Sequence, residues 1–305
     1  MLKKILIISL IVYGTMASGD VFVDKGVGAA SIAMGGQSVA VGQDIFALYW
    51  NPGALGFLEG NSIGGMYSYR YGLSDMVHQF IASALSYNFI QDKSKFILAA
   101  GYESFGSGTI YNEGVLTGTV VFNLKGKYSA GLAMKYMRLS VGEDISTYGF
   151  ATDFGIDLQL GGIVFVGYSA KNLISTHLKY DGTVGTTPFA REIVLPIKHK
   201  VGIGLSKQKI GKIELGTDLQ SFNIGTELSI LSFLKGRYGF SIDFGSITDL
   251  DSSSMRRMEH DFGLGFNAGR VKFDYSVSLE SDLPLTHFFS VSAVFGSPKI
   301  LNASN

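Results

Sequence analysis

The sequence predicts an all-β fold: a transmembrane antiparallel β-barrel of about 14 strands with a small N-terminal helical plug in the lumen. Three observations predict it. Apolar and polar side chains alternate over runs of 10 to 14 residues, aromatic residues sit near the ends of the apolar faces, and tight turns alternate with long links.

The segment 1–19 reads as a secretory signal peptide. Lys3 and Lys4 precede a nine-residue apolar run from Ile5 to Tyr13, interrupted only by Ser9, and mostly small residues follow from Gly14 to Gly19. Nine residues fall well short of the roughly 20 that span a bilayer as a helix. Export follows, rather than anchoring.

Residues 20–60 form the expected plug. This stretch is rich in Gly and Ala and lacks sustained period-2 alternation. Asn51-Pro52 reads as an N-cap followed by Pro at the first helical position, giving a short helix through Leu55. Gly28, Ala29, Ala30, Ala33, Gly35, Gly36 and Ala40 suit close packing against a wall. Fourteen strands enclose more space than wall side chains fill, since about eight already give a side-chain-sized interior. Phe46, Leu48, Trp50, Asn51, Pro52, Leu55 and Phe57 are therefore candidates for plug anchors or for a ligand pocket beside the wall.

Residues 61–296 carry the strands, and 297–305 form a C-terminal tail. In Arg270–Glu280, Val271, Phe273, Tyr275, Val277 and Leu279 oppose Lys272, Asp274, Ser276, Ser278 and Glu280. Fourteen such segments are read: Ser62–Tyr71, Ser74–Phe89, Ser94–Phe105, Val115–Leu124, Lys127–Leu139, Ile145–Leu160, Gly162–Asn172, Leu195–Ser206, Lys212–Leu219, Asn223–Ile230, Phe233–Gly245, Met258–Ala268, Arg270–Glu280 and Thr286–Phe295. A soluble sandwich favours strands of about 5 to 6 residues; a tilted membrane strand needs about 9 to 11. Tyr128 and Tyr136 lie eight residues apart on one face. At ~3.3 Å per residue and ~40° tilt that is roughly 20 Å, near the ~25 Å band between aromatic girdles. Tight turns such as Lys125-Gly126 follow even segments, while the longest links, Leu173–Val194 and Ser246–Arg257, follow odd ones. Short periplasmic turns and longer outer loops have that phase.

By parity, the inward face carries charges of both signs. Lys135, Lys171, Lys198, Lys200, Lys235, Arg237 and Lys272 share it with Asp153, Asp157, Glu214, Asp218, Glu227, Asp243, Glu259, Asp261, Asp274 and Glu280. Mixed signs fit a salt-bridged lumen network bracing wall and plug better than an ion-selective ring.

Composition and motifs exclude much chemistry. Basic and acidic residues balance at 25 each, so no basic surplus marks a nucleic-acid binder. Cys is absent, which removes disulfides, thiolate metal sites and cysteine nucleophiles. The five histidines, His78, His177, His199, His260 and His287, lack helical zinc spacing. His260 with Asp261, and His287 with Ser290, are separated by odd steps and point to opposite faces of a strand. Gly263-Leu264-Gly265 and Gly269 have no following helix to make a dinucleotide loop. The expectation is a non-enzymatic protein with no metal and no organic cofactor.

Met34-Gly35-Gly36 and Ala47-Leu48-Tyr49-Trp50-Asn51-Pro52 resemble the N-terminal signature of the PorV/PorQ family of outer-membrane proteins. That family is similar to the FadL-type fatty-acid channels, fourteen-stranded barrels with an N-terminal hatch. Gly131-Leu132-Ala133-Met134-Lys135-Tyr136 and the closing strand ending at Phe295 extend the resemblance. Gly53-Ala54 and Gly42-Gln43 depart from the family's Ala-Gly and Ala-Asp pairs. The resemblance implies a bacterial outer-membrane location in contact with lipid. It leaves two roles: passive transport of hydrophobic small molecules such as long-chain fatty acids, or docking of secretion-system components, with 173–194 and 246–257 as contact surfaces.

Overall fold

The computed structural model describes residues 21–36, 38–70, 72–73, 75–89, 93–108, 110–142, 145–184, 187–207, 209–218, 220–244, 257–281, 283–296 and 299–301. The signal segment and most of the link 246–257 lie outside the described residues. Fourteen strands close into one antiparallel ring. In chain order they are β1 (Asn61–Tyr69), β2 (Val77–Phe89), β3 (Lys95–Gly106), β4 (Tyr111–Leu124), β5 (Tyr128–Val141), β6 (Ile145–Leu160) and β7 (Val164–Ser175). After a hairpin of β8 (Leu178–Val184) and β9 (Thr187–Ile193) come β10 (Lys198–Lys207), β11 (Gly211–Thr217), β12 (Ser221–Ser229) and β13 (Leu234–Asp243). The ring ends with β14 (Arg257–Ala268), β15 (Val271–Glu280) and β16 (Thr286–Phe295). Each strand pairs with its neighbour, β7 pairs with β10, and β1 pairs with both β2 and β16, so no edge remains in the ring. Closure matters because an open edge cannot exist in hydrocarbon.

The alternation explains why this sequence is a barrel and not a sandwich. Along β6 the positions 147, 149, 151, 153, 155 and 157 are buried, while Tyr148 and Phe150 are exposed. Outward Leu132 and Met134 on β5 are 46% and 64% exposed, and Ile81, Phe122, Phe273 and Phe289 stand out likewise. A soluble protein does not leave a contiguous apolar surface of that extent. No second sheet covers it among the described residues. Outward Tyr136 stacks on Tyr148 at 5.8 Å, and Tyr128 lies at the other end of the same face.

Two elements depart from the expected layout. The link 173–194 contains the β8–β9 hairpin, which stands outside the ring. Its base folds over the loop end of the barrel. Leu178 lies where a side chain on inward Gly149 would be, and Thr147 Oγ1 donates to the Lys179 carbonyl at 2.8 Å. In the tail, β17 (Lys299–Leu301) adds a short parallel pairing to Tyr87–Phe89 of β2.

Residues 21–36 and 38–60 pack against the inward face of the ring. They contain α1 (Ala29–Ile32), α2 (Ala47–Trp50) and a 3-10 stretch at Pro52–Phe57. The helical content is thus a few single turns, short of a helical plug. Asn51 caps the 3-10 stretch: its side chain accepts the Gly53 N–H at 2.9 Å, and Pro52 follows at the first position. The wall meets this segment at glycines. A Cβ on Gly131 would fall 2.6 Å from the Pro52 carbonyl carbon, and one on Gly155 would overlap Asn51 Oδ1.

Candidate functional site

The inner segment carries the candidate site, and the wall divides its residues between two apolar clusters. Phe46, Leu48, Trp50 and Leu55 are buried together with Val27, Ile45, Phe80, Ile97 and Phe288. Phe57 is elsewhere, edge-on to Phe165 at 5.4 Å beside Met34 and Val41. Trp50 Nε1 donates to the Val27 carbonyl at 2.8 Å. Asn51 is fully buried, and its Nδ2 donates to the carbonyls of Val39 at 2.6 Å and Ile156 at 3.1 Å. Asn51 thereby ties two turns of the inner segment to β6.

Charges ring this apolar centre. Near the loop end, Asp24 accepts from Lys171 at 2.8 Å, with Lys198 and Lys200 each at 3.7 Å. Burial alone would raise the Asp24 pKa; Lys171, Lys200 and Lys198 together hold it well below the ordinary carboxylate range. Lys25 pairs with Glu113 at 2.5 Å, and Lys171 lies 3.8 Å above the Tyr49 ring. Burial, with Asp24 and Glu103 nearby, keeps the Tyr49 phenol well above its usual pKa and therefore neutral. In the wall, Lys135 meets Asp153 at 2.7 Å. Glu227 takes Lys235 at 2.6 Å and Arg237 at 2.7 Å, and Arg237 also reaches Asp274 at 2.8 Å. Lys272 takes part in none of these pairs. Asp157 is fully buried, and among the described residues no side chain donates to either of its carboxylate oxygens and no cation pairs with it.

Two spaces flank the inner segment. A cavity of about 1180 Å³ opens at the turn end, lined by Phe57, Lys95, Lys212, Lys235 and Lys272 among others. A smaller space of about 60 Å³ lies toward the loop end, between Leu48, Tyr49, Phe80, Phe105 and Met137. Beyond it, Met137, Leu139, Ala151, Leu178, Ile193 and Leu195 form an inward apolar cluster, with Val21 and Phe22 packed against it. Sequence reasoning missed this cluster and the Asp24 clamp. Parity held one signal for the former: Met137 and Leu139 are large apolar residues on a face of β5 that otherwise carries Ser129, Gly131, Ala133 and Lys135.

The discounted motifs separate as strand geometry requires. His260 faces outward to Tyr238, while Asp261 faces inward to Ser278. His287 bonds to Tyr275, whereas Ser290 accepts the Ala29 N–H from inside. Among the described residues no cluster of metal-ligating side chains occurs.

No family model and no curated protein matches the sequence. Solved structures do. The CymD monoaromatic hydrocarbon channel superposes with a TM-score of 0.65 at 12% identity, covering 90% of this chain and 99% of that one. The Ralstonia pickettii toluene transporter TbuX gives 0.61 at 14% identity, covering 90% and 100%. A Pseudomonas aeruginosa FadL homologue gives 0.56 at 12% identity, covering 88% and 98%. At these identities the likeness is one of fold, and the fold is that of hydrocarbon and FadL-type channels. The PorV/PorQ resemblance is overturned by the same matches, and nothing in them supports the docking role it carried. The physical reason lies in what its motif does here. Gly35 backs onto the Ile224 and Phe240 backbones, and Asn51-Pro52 caps the turn against β5 and β6. Those residues mark an inner segment in close contact with a wall, not one family.

Proposed function

We propose that the protein is a non-enzymatic passive conduit for small hydrophobic molecules in the bacterial outer membrane, with residues 21–60 as its plug. The short turns then face the periplasm and the hairpin end faces outward. One observation carries the reading: apolar side chains turn inward at the loop end, where a barrel lumen is ordinarily polar. Met137, Leu139, Leu178, Ile193 and Leu195 offer an apolar entrance that leads to the space beside Leu48 and Phe80. Phe46, Leu48, Trp50 and Leu55 form the closed floor of that route, and the Asp24 clamp fastens it. The similar structures named as a monoaromatic hydrocarbon channel and a toluene transporter support the same substrate class.

Proteoliposomes test it. Toluene uptake should exceed that of protein-free vesicles and fall when Met137 and Leu178 are replaced by Asp. Uptake no faster than the protein-free control removes the proposal.

A further inference from the structure

Three of the five histidines sit in the same arrangement. Tyr168 with His199, Tyr238 with His260, and Tyr275 with His287 are diagonal cross-strand pairs. The hydroxyl lies 2.8, 3.0 and 2.8 Å from Nδ1, and the rings stack at 20°, 28° and 21°. All six side chains are on the outward face, alternating with inward Ser169, Lys200, Asp261 and Ser276. The histidine of each pair is the member toward the loop end: His199 and His287 are second residues of β10 and β16 and His260 is the fourth of β14, while Tyr168, Tyr238 and Tyr275 are each the fifth residue of β7, β13 and β15.

Hydrogen counting fixes what each pair can still do. A neutral imidazole carries one N–H and a phenol one O–H. The shared bond uses one of the two, whichever group donates. One donor per pair is left over on the outward face. If the ring is protonated, it donates through Nδ1 and leaves both the phenol O–H and Nε2–H free, with a positive charge. A spare donor at the edge of hydrocarbon needs an acceptor. A phosphate oxygen satisfies the neutral pair and also neutralises the protonated one, which an ester carbonyl does not.

We infer that the three Tyr–His pairs are docking points for the phosphate groups of outer-leaflet lipids. The inference rests on the membrane-spanning reading above. The barrel thereby holds a fixed depth on the arc from β7 to β16 by specific contacts, in addition to its aromatic girdle.

Solid-state NMR of the full chain in vesicles of phosphatidylethanolamine and phosphatidylglycerol tests this. Histidine ring nitrogens are labelled and assigned by single His→Gln variants. Phosphorus recoupling should attenuate the signals of His199, His260 and His287 and leave buried His78 untouched. In Tyr238→Phe the attenuation at His260 should diminish while that at His199 persists. Absence of attenuation at all three, or equal attenuation at His78, overturns the inference and leaves water as the partner. Contacts from acyl chains to outward Phe150 and Met134, read in the same sample, report membrane insertion separately. If those are missing, it is the spanning reading that fails.

Discussion

Arg237 Nη1 and Asp274 Oδ1 meet at 2.8 Å although a whole strand, β14, runs between their own. The bridge crosses β14 over Gly265, where a Cβ would stand 2.7 Å from both atoms. The same guanidinium donates through Nε to Glu227, so one cation serves two buried carboxylates. Removing one partner of such a group strands charge away from water and costs about 3–5 kcal/mol. Arg237→Met should lower the unfolding free energy in detergent by about that amount. Gly265→Val should destabilise in the same direction by prising the bridge apart. Heat-modifiable gel mobility or urea titration reads both, and unchanged stability of Arg237→Met would show the bridge to be idle.

Gly155 and Asn51 set up a second prediction, on closure. The glycine leaves room for Asn51 Oδ1, and Asn51 in turn bonds Gly53, Val39 and Ile156. Gly155→Val should push the inner segment off the wall while outward-facing β6 positions stay in lipid. Asn51→Ala should act in the same direction, since its loss leaves buried backbone groups unpaired at about 1–3 kcal/mol each. Single-channel conductance in planar bilayers should rise for both variants. A wild-type trace from Gly155→Val would mean that the inner segment does not block the lumen.

Much of the fold was legible because membrane strands print a two-residue period over unusual length. Ile145–Leu160 and Thr286–Phe295 are bounded in the structure where the sequence bounds them. The β8–β9 hairpin was not legible: Gly182 and Pro188 interrupt its short runs, and Pro is a poor strand residue. Its seat on Gly149 is a tertiary contact that no local pattern encodes. At the site, parity alone brings Arg237 and Asp274 to one face, but register decides that they reach across a glycine. Asp24 lies in a stretch without period, and three lysines converge on it only once β7 and β10 are neighbours. The Tyr–His pairs need the diagonal offset between paired strands, which is likewise invisible before the strands are aligned.

The Asp24 clamp predicts a pH profile. Its folded-state pKa lies below the ordinary value of ~3.9. A depressed carboxylate contributes stability that is complete above the unfolded pKa and is lost as pH falls through the folded one. The clamp should therefore be indifferent to pH between about 8 and 5 and release only in stronger acid. Trp50 is the single tryptophan, and Lys200 stands 5.3 Å above its ring, so its fluorescence reports the clamp. Emission should stay constant across that range and change on further acidification. Asp24→Asn should show the acid-form spectrum at neutral pH. A transition centred near neutrality would assign the spectral change to another group.

Asp153 and Asp157 stand four residues apart on the same inward face of β6, and their surroundings predict opposite responses. Asp153 meets Lys135 at 2.7 Å and accepts the Asn172 N–H at 2.8 Å. Asp157 is fully buried, and among the described residues it has no cation and no side-chain donor. A buried carboxylate gains nothing from its charge without a cation or a donor, whereas a paired one leaves its lysine stranded when neutralised. Asp153→Asn should lower the thermal midpoint. Asp157→Asn should leave it unchanged or raise it, because the amide keeps the shape and removes the cost of desolvating an ion. Parallel melting curves in one detergent decide the matter. Equal losses in the two variants would mean that Asp157 has a partner, such as an ordered water, that offsets its burial.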